Sequence, residues 1–360
     1  MNAVGSAQAD EAALLELARG GDGDAFGELA DAYRAELRAH CYRMLGSVHD
    51  ADDALQEALL RAWRNLSGFQ GRSSVRSWLY AIATNTALDI TRHRSRRELP
   101  IDFGAPAAQG ADVDPPLTDR PWLEPYPDRW LADDIGLSPE ARYEQRESVE
   151  LAFIVALQYL PPLQRAALLL REVVGLSAEE ISSQLDTTTA SVTSALQRAR
   201  AAVRGRLPAH SQQTTLRTLG DQRTRAIAER YASAIEHADV DTLISMLTED
   251  ATWSMPPIPT WYRGHGPIRA FLLYSPLAER WRHWPTWANG QLAVGCYLFD
   301  QAGGDYAPAV IDVLTLRGDK IAAVTGFQTP AAIAPASVPP DGWIPGEELF
   351  AHFGLPTRLP

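Results

Sequence analysis

The segment FQGRSSVRSWLYAIATNTALDITRHRSRR, residues 69–97, gathers the groups that could grip a nucleic acid. Asn85, Asp89, Arg92 and Arg96 recur at helical spacing and fall on one face. Ahead of them lies a small polar loop carrying Gln70, Arg72, Ser73 and Ser74, followed by Arg76. A base drawn out of a duplex needs a pocket, hydrogen-bond partners for its edge and cations for its phosphates. This loop and helix supply such groups. Trp78, by contrast, lies on the apolar face and reads as core.

Three further constellations stand out. In LSAEEISSQLDTTTASVTSALQRARAAVRGRL, a turn is followed by Thr188, Thr189, Ser191, Ser194 and Gln197, then Arg198, Arg200 and Arg204. Hydroxyls and amides can read base edges, and arginines can hold phosphates. Nearer the N-terminus, Asp52, Asp53, Gln56, Glu57, Leu60, Arg61 and Arg64 point away from an apolar helical stripe, with Trp63 beside them. Leu60 and Trp63 among charges suggest a protein-docking surface. The last third offers His265, His283 and Asp312, with Trp253, Trp261, Tyr262, Trp284 and Trp287 as candidate pocket walls. No acid–base pair appears there at fixed spacing, so the aromatic density fits a small-ligand pocket or an interdomain surface better than catalysis. Zinc-type Cys/His spacing is absent, and no metal or cofactor is expected.

These groups need elements to hold them. Phe26, Leu29, Tyr33, Leu37, Cys41 and Met44 recur every three or four residues, which predicts a helix capped by Gly46. A second helix is expected from Asp50, burying Leu55, Ala58, Leu59 and Ala62, and a third from about Val75 until Pro100 stops it. Residues 101–142 are rich in Pro, Gly and Asp and read as a linker, in which Trp122, Leu123 and Tyr126 are too apolar for a mere spacer. Residues 143–207 return to helix, broken at Pro161–Pro162; Ser177 with Glu180 forms a capping box opening a helix-turn-helix. After a polar linker at 208–222 comes a helical pair. Strand-like runs follow, ATWSM, WPTWA, LAVGCYLF, PAVIDVLTL and KIAAVTGFQ, with RGDK as a hairpin turn. Helices followed by an antiparallel sheet predict an α+β domain over 223–332, and a Pro-rich tail occupies 333–360.

The bulk numbers agree with a multidomain folded protein. The chain has 360 residues, 46% of them hydrophobic and 22% charged. Its formal net charge is -12, yet the positive charge is clustered, and clustering is what nucleic-acid binding requires. No apolar run reaches membrane-spanning length and the N-terminus lacks a basic, then apolar leader, so a cytoplasmic protein is expected. Cys41 and Cys296, far apart in sequence, read as separate thiols.

At this point a resemblance emerges. HDADDALQEALLRAWRNLSGFQGRSSVRSWLYAIATNTALDITRHRSRR resembles region 2 of sigma-70 family initiation factors of the extracytoplasmic-function type, and LPPLQRAALLLREVVGLSAEEISSQLDTTTASVTSALQRARA resembles their region 4. The final part is similar to the SnoaL-like cone-shaped α+β domain fused to some of these factors, and RPWLEPYPDRW resembles their tryptophan–leucine–proline linker motif, here Trp122, Leu123, Pro125 and Tyr126. The resemblance implies two all-α modules, region 2 over 12–100 and region 4 over 143–207, plus the α+β domain. It implies that Asp53, Gln56, Glu57, Leu60 and Trp63 grip the clamp coiled coil of core RNA polymerase, with region 4 reaching the flap. Gln70, Arg72, Ser73, Ser74, Arg76, Asn85, Arg92 and Arg96 would meet the −10 promoter element. Thr188, Thr189, Ser191, Ser194, Gln197, Arg198 and Arg200 would enter the −35 major groove. The linker acids Asp112, Asp114, Asp119, Glu124 and Asp128 would occupy a basic path meant for RNA.

The expectation is therefore a non-enzymatic sigma factor at the nucleoid, with promoter DNA and polymerase as partners. Its C-terminal domain would contact the sigma modules or the linker and regulate them, with Trp253, Tyr262, His265 and Asp312 lining a pocket for an unknown small ligand. One departure stands out: many relatives carry basic residues in the recognition helix where this chain has Thr193 and Ala195, which implies weak intrinsic −35 affinity. Two rivals differ in kind, an operator-binding regulator that works without polymerase, and a SnoaL-like enzyme tethered to DNA.

Overall fold

The computed structural model describes residues 3–71, 73–92, 94–131, 139–333 and 345–360. In chain order the helices are α1 (Ala3–Arg19), α2 (Gly23–Leu45), α3 (Val48–Asn65), α4 (Val75–Thr91), α5 (Pro139–Glu147), α6 (Leu151–Gln158), α7 (Pro162–Glu172), α8 (Ala178–Gln184), α9 (Thr189–Arg204), α10 (Gln212–Leu219), α11 (Asp221–Glu236), α12 (Val240–Met246), α13 (His265–Tyr274), α14 (Pro330–Ile333) and α15 (Gly346–His352). The strands are β1 (Leu247–Met255), β2 (Ile258–Arg263), β3 (Trp281–Ala288), β4 (Gln291–Asp300), β5 (Asp305–Arg317) and β6 (Lys320–Gln328). Contacts divide the chain into a helical unit, Met1–Arg94 with Trp130–Ala132 and Leu157–Gly205, and a second unit, Ser95–Arg129 with Asp133–Ala156 and Arg206–Pro360.

In the helical unit local chemistry sets the helix ends. The Asp22 carboxylate accepts the Asp24 and Ala25 amides at the start of α2, and Gly46 closes it at φ 72. Ser47, and not Asp50, caps α3: its hydroxyl accepts the Asp50 amide, while buried Asp50 pairs with Arg94. Ser74 caps α4, which ends at Thr91, well ahead of Pro100, with Arg92 as its C-cap. Ser177 and Glu180 form the expected capping box on α8. Trp78 is half-buried and lies 5.0 Å from Phe69 beside a small cluster of Ala18, Ala25 and Leu66. Buried Arg165 on α7 donates to the Gln158 side chain at 2.9 Å, to the Gln158 carbonyl at 3.1 Å and to the Met44 carbonyl at the end of α2. A guanidinium is tolerated there because each exposed end of backbone it meets is an acceptor.

The second unit is a six-stranded sheet in the order β2-β1-β6-β5-β4-β3. β1 and β6 run parallel and the other neighbours antiparallel, so the sheet is mixed where the run of strands predicted an antiparallel one. The reason is connectivity: β1 is hydrogen-bonded to the last strand rather than to β3, and that pairing joins chain segments with the same direction. α11, α12 and α13 cover one face, burying Tyr231, Leu243, Ile268 and Phe271 against Trp253, Val294, Leu314 and Val324. Arg317 and Lys320 pair across the expected Gly318–Asp319 turn. β2, α10 and α13 were not among the sequence expectations.

The linker is part of this unit. Residues 104–117 run along β2, the sheet's edge. Ala107 donates to the Trp261 carbonyl at 2.8 Å, Leu117 to the Pro257 carbonyl at 3.0 Å, and the Asp114 amide to the Thr260 hydroxyl at 2.9 Å. Such a strap hides an edge that would otherwise pair with other chains. Trp122, Leu123 and Tyr126 are buried, as their apolarity demanded. Tyr126 is held by the β3–β4 turn: its amide donates to Asn289 Oδ1 at 2.9 Å and its carbonyl accepts the Asn289 amide at 2.8 Å. Asn289 Nδ2 donates to the Val149 carbonyl at 2.9 Å, and Gly290 N donates to Asp128 at 2.7 Å.

Two predictions follow from this packing. Asn289 is fully buried at φ 56. Asn289→Ala orphans the Tyr126 amide and the Val149 carbonyl and strains a left-handed residue, so it should destabilise the second unit by about 3 kcal/mol or more. Chemical denaturation of the full chain gives that loss, and hydrogen exchange should show residues 122–129 losing protection first. Glu150 accepts the Gln213 amide at 2.8 Å from a buried position, and burial pushes its carboxyl up to about 7. The folded state therefore holds this proton more tightly than the unfolded chain. The stability it adds is complete at acid pH and is lost as pH rises through about 7. Glu150→Gln keeps an acceptor oxygen and removes the titration, so melting curves should show the variant gaining a few degrees on the wild type between roughly pH 5 and 8.

Candidate nucleic-acid and polymerase-binding surfaces

α3 turns Val48, Ala51, Ala54, Leu55, Ala58 and Ala62 inward. That stripe leaves Asp53, Gln56 and Leu60 on the outer face, with Leu60 50% exposed: an apolar side chain ringed by polar ones. Glu57 belongs to the same face but is tied to Arg61 at 2.7 Å. Trp63 is half-buried and packs on Phe26 at 5.2 Å, so only part of its ring faces out.

Arg61 also reaches Asp89 at 3.0 Å, and Asp89 holds Arg92 at 3.0 Å, which links α3 to α4 through a chain of alternating charges. The polar face of α4 contains Asn85 and Arg92, both exposed. Before it, Gln70, Ser73 and Ser74 are exposed on the loop, and Gly71 takes φ 68 to turn the chain. Ser74 spends its hydroxyl on the Ser77 amide at 3.1 Å. Arg72 lies outside the described residues. Arg76 is engaged: it forks onto Glu36 at 2.8 Å to 3.0 Å and stacks over Tyr80 at 4.9 Å. Arg96 pairs with Glu98 in the second unit. The structure thus leaves Asn85, Arg92 and the loop exposed and gives Arg76 and Arg96 partners of their own; the Arg76 pairing was not signalled by spacing because Glu36 lies on another helix.

Within the helical unit this face meets the helix-turn-helix. Gln184, at the end of α8, donates to the Ser77 carbonyl and hydroxyl at 3.1 Å each, while Asn85 donates to the Gln184 carbonyl at 3.4 Å. Arg76 reaches the Val174 carbonyl at 3.4 Å.

α9 buries Val192, Leu196, Ala199 and Val203. The same periodicity leaves Thr188, Thr189, Ser191, Gln197, Arg198 and Arg200 exposed and Ser194 half-buried. Thr188 caps the helix through the Ser191 amide at 3.1 Å. Arg198 rests on the Ser194 hydroxyl at 2.6 Å, and Arg200 is paired with Glu172. The exposed arginine tips and hydroxyls are soft contacts that a phosphate or base edge can replace at small cost.

Of the residues expected to line a pocket in the last third, Trp253, Tyr262 and Asp312 are buried. Tyr231, Trp253, Phe271 and Tyr262 contact one another in succession inside the core, with Tyr262 and Phe271 stacked 4.7 Å apart. Asp312 is buried and accepts the Tyr231 hydroxyl at 2.8 Å and the Cys296 thiol at 3.3 Å; burial raises its pKa. His265 opens α13 and contacts the Thr248 carbonyl at 3.0 Å, and His283 pairs with Glu236. Of the linker acids, Asp114, Glu124 and Asp128 are engaged by Thr260, Arg97 and Gly290. No group of three His, Cys, Asp or Glu among the described residues could hold a metal ion, and no described helix is long and apolar enough to cross a membrane.

Comparison with known proteins accounts for this arrangement. Family models match at residues 29–97 (Sigma-70 region 2), 150–203 (Sigma-70, region 4) and 228–324 (SnoaL-like domain). The ECF RNA polymerase sigma factor SigG of Mycobacterium tuberculosis is 38% identical over 339 residues, which are 93% of this chain and 85% of that protein. SigW of Bacillus subtilis is 31% identical over 52% of this chain and 91% of its own. The crystal structure of the Mycobacterium tuberculosis extracytoplasmic function sigma factor SigJ has the same fold, with TM-score 0.54 and 23% identity over 85% of this chain and 97% of that one. With both sigma-70 modules present in order and the likeness to SigG extending through the α+β domain, the chain belongs to the ECF RNA polymerase sigma factors of the sigma-70 family.

Proposed function

We propose that the outer face of α3, with Leu60 at its centre, docks on the clamp coiled coil of core RNA polymerase, and that region 4 contacts the flap. In this reading the loop Gln70–Ser74 and the α4 face with Asn85 and Arg92 take the −10 element, and α9 enters the −35 major groove through Thr188, Thr189, Ser191, Gln197 and Arg198. Arg76 and Arg96 join the DNA only by exchanging Glu36 and Glu98 for phosphate. The observation that carries the reading is α9: one stripe is sealed in the core while hydroxyl, amide and guanidinium groups line the other.

The α+β domain acts here without turnover. Asp312 is engaged by Tyr231 and Cys296, His265 by a backbone carbonyl and the buried His283 ring by Glu236, so each of these candidate acids and bases already has a partner within the domain. Its role is regulation through the linker, which it holds along β2 and at the β3–β4 turn. The place of action is the cytoplasmic nucleoid, where polymerase and promoters are. Gln184 on Ser77 and Asn85 covers part of the −10 face, so binding DNA requires these exposed or half-buried contacts to be given up, each worth about 1 kcal/mol.

Run-off transcription with core RNA polymerase tests this. Leu60→Asp, an exposed change, should weaken core binding by at least about tenfold. Asn85→Ala should leave core binding intact and lower initiation. A chain ending at Leu207 should initiate with altered yield. Sequence-specific duplex binding without core enzyme, unaffected by Leu60→Asp and accompanied by no initiation, would instead mark an operator-binding regulator.

A further inference from the structure

A groove of about 660 Å³ lies on the second unit, away from the aromatic core around Asp312. It collects side chains from parts of the chain that are distant in sequence. Asp128 and Arg129 come from the end of the linker and Arg146 from α5. Thr224 and Arg225 come from the first turns of α11, Trp287 from β3, and Phe353 from just beyond α15.

Its chemistry is distinctive in so acidic a chain. Three guanidiniums surround the space, against the carboxyls of Asp128 and Asp221. Burial pushes Asp128 up to about 7, against the pull of the Gly290 amide and Arg146, so near neutrality it carries only part of its charge. The α11 N-terminus adds its own positive end. Trp287 is 43% exposed, although it stands in a strand whose neighbour Ala288 is fully buried. A large ring held half open beside arginines is a stacking surface. Three arginines exclude a metal cation. A nucleic-acid strand fits poorly, since the space is that of one small molecule and the two aspartates would oppose a run of phosphates.

We propose that this groove binds a small organic anion with a flat unsaturated body, its carboxylate or phosphate held by Arg225 and its ring against Trp287. Arginine suits both headgroups because its planar fork pairs with two oxygens at once. Arg129 is already anchored to the Ala351 carbonyl at 3.1 Å, so it steadies the tail wall rather than reaching out. An occupant would touch the linker end, α5, α11, β3 and the tail together. It would favour the arrangement in which the linker is docked, because only that arrangement assembles the groove. This goes beyond the sigma-factor reading and does not depend on it.

The test uses the full chain with 1-naphthoate and 1-naphthyl phosphate as probes and uncharged 1-naphthol as control, followed by calorimetry and hydrogen exchange. One or both anions should bind, and whichever binds more tightly identifies the headgroup. Arg225→Ala and Trp287→Ala, both at exposed positions, should each weaken binding by about tenfold or more, with circular dichroism confirming the fold. Residues 122–129 and 346–355 should gain protection on binding. Equal binding of 1-naphthol, indifference to Arg225→Ala, or no binding of either anion at low-millimolar concentration would each overturn the proposal.

Discussion

The second unit depends on one two-residue turn. Asn289 and Gly290 both adopt left-handed backbone, φ 56 and 66, which is what a tight hairpin between β3 and β4 requires. That geometry points backbone donors and acceptors outward, and the chain uses them as a fastening point. Tyr126, Asp128 and Val149 are bound to it directly, and the next residue, Gln291, accepts the Leu151 amide at 2.9 Å. A Cβ on Gly290 would lie 2.7 Å from the Arg146 carbonyl, so the approach of α5 needs glycine as much as the turn does. The linker and the segment leading into region 4 are therefore fixed by the same few atoms. What disturbs the turn must loosen both.

This explains why a linker of low complexity folds onto a domain at all. Its Pro, Gly and Asp content gives it little apolar surface to bury by itself. Trp122, Leu123 and Tyr126 supply that surface at one end. Along the rest, Ala107 and Val113 pack on the core and hydrogen bonds to the β2 edge add to the hold, bonds that are individually modest and made partly at the cost of water. Such a strap is stable when its anchor is intact and removable when it is not.

Much of the architecture was legible in the residues. The stripes of α2, α3 and α9, the capping box at Ser177 and the hairpin at Gly318–Asp319 rest on local rules, and local rules are readable from sequence. What escaped was set by distance along the chain. The parallel pairing of β1 with β6, the helix α10 in a stretch that reads as polar linker, and the Arg76–Glu36 fork all depend on partners far away in sequence. Ser47 rather than Asp50 capping α3 has a similar cause, because Asp50 is claimed by Arg94. In the last third, the packing of Trp253 and Tyr262 in the core, the bond from Tyr231 to Asp312 and the turn of His265 to a backbone carbonyl likewise depend on partners that spacing does not show.

The helical unit shows how magnitudes separate structure from switch. Arg165 is buried with acceptors on the Gln158 side chain and backbone and on Met44; leaving a guanidinium there unpaired would cost several kcal/mol, so α7 and the end of α2 stay together. The contacts of Gln184 with Ser77 and Asn85 are of another order. They are neutral, at 3.1 Å to 3.4 Å, and water or a nucleotide can replace them. A micromolar partner supplies about 8 kcal/mol, enough to displace such contacts and not enough to make burying an unpaired arginine trivial. Opening of the α4 face should therefore proceed by the turn of the helix-turn-helix lifting away from Asn85 while the α2–α7 junction holds.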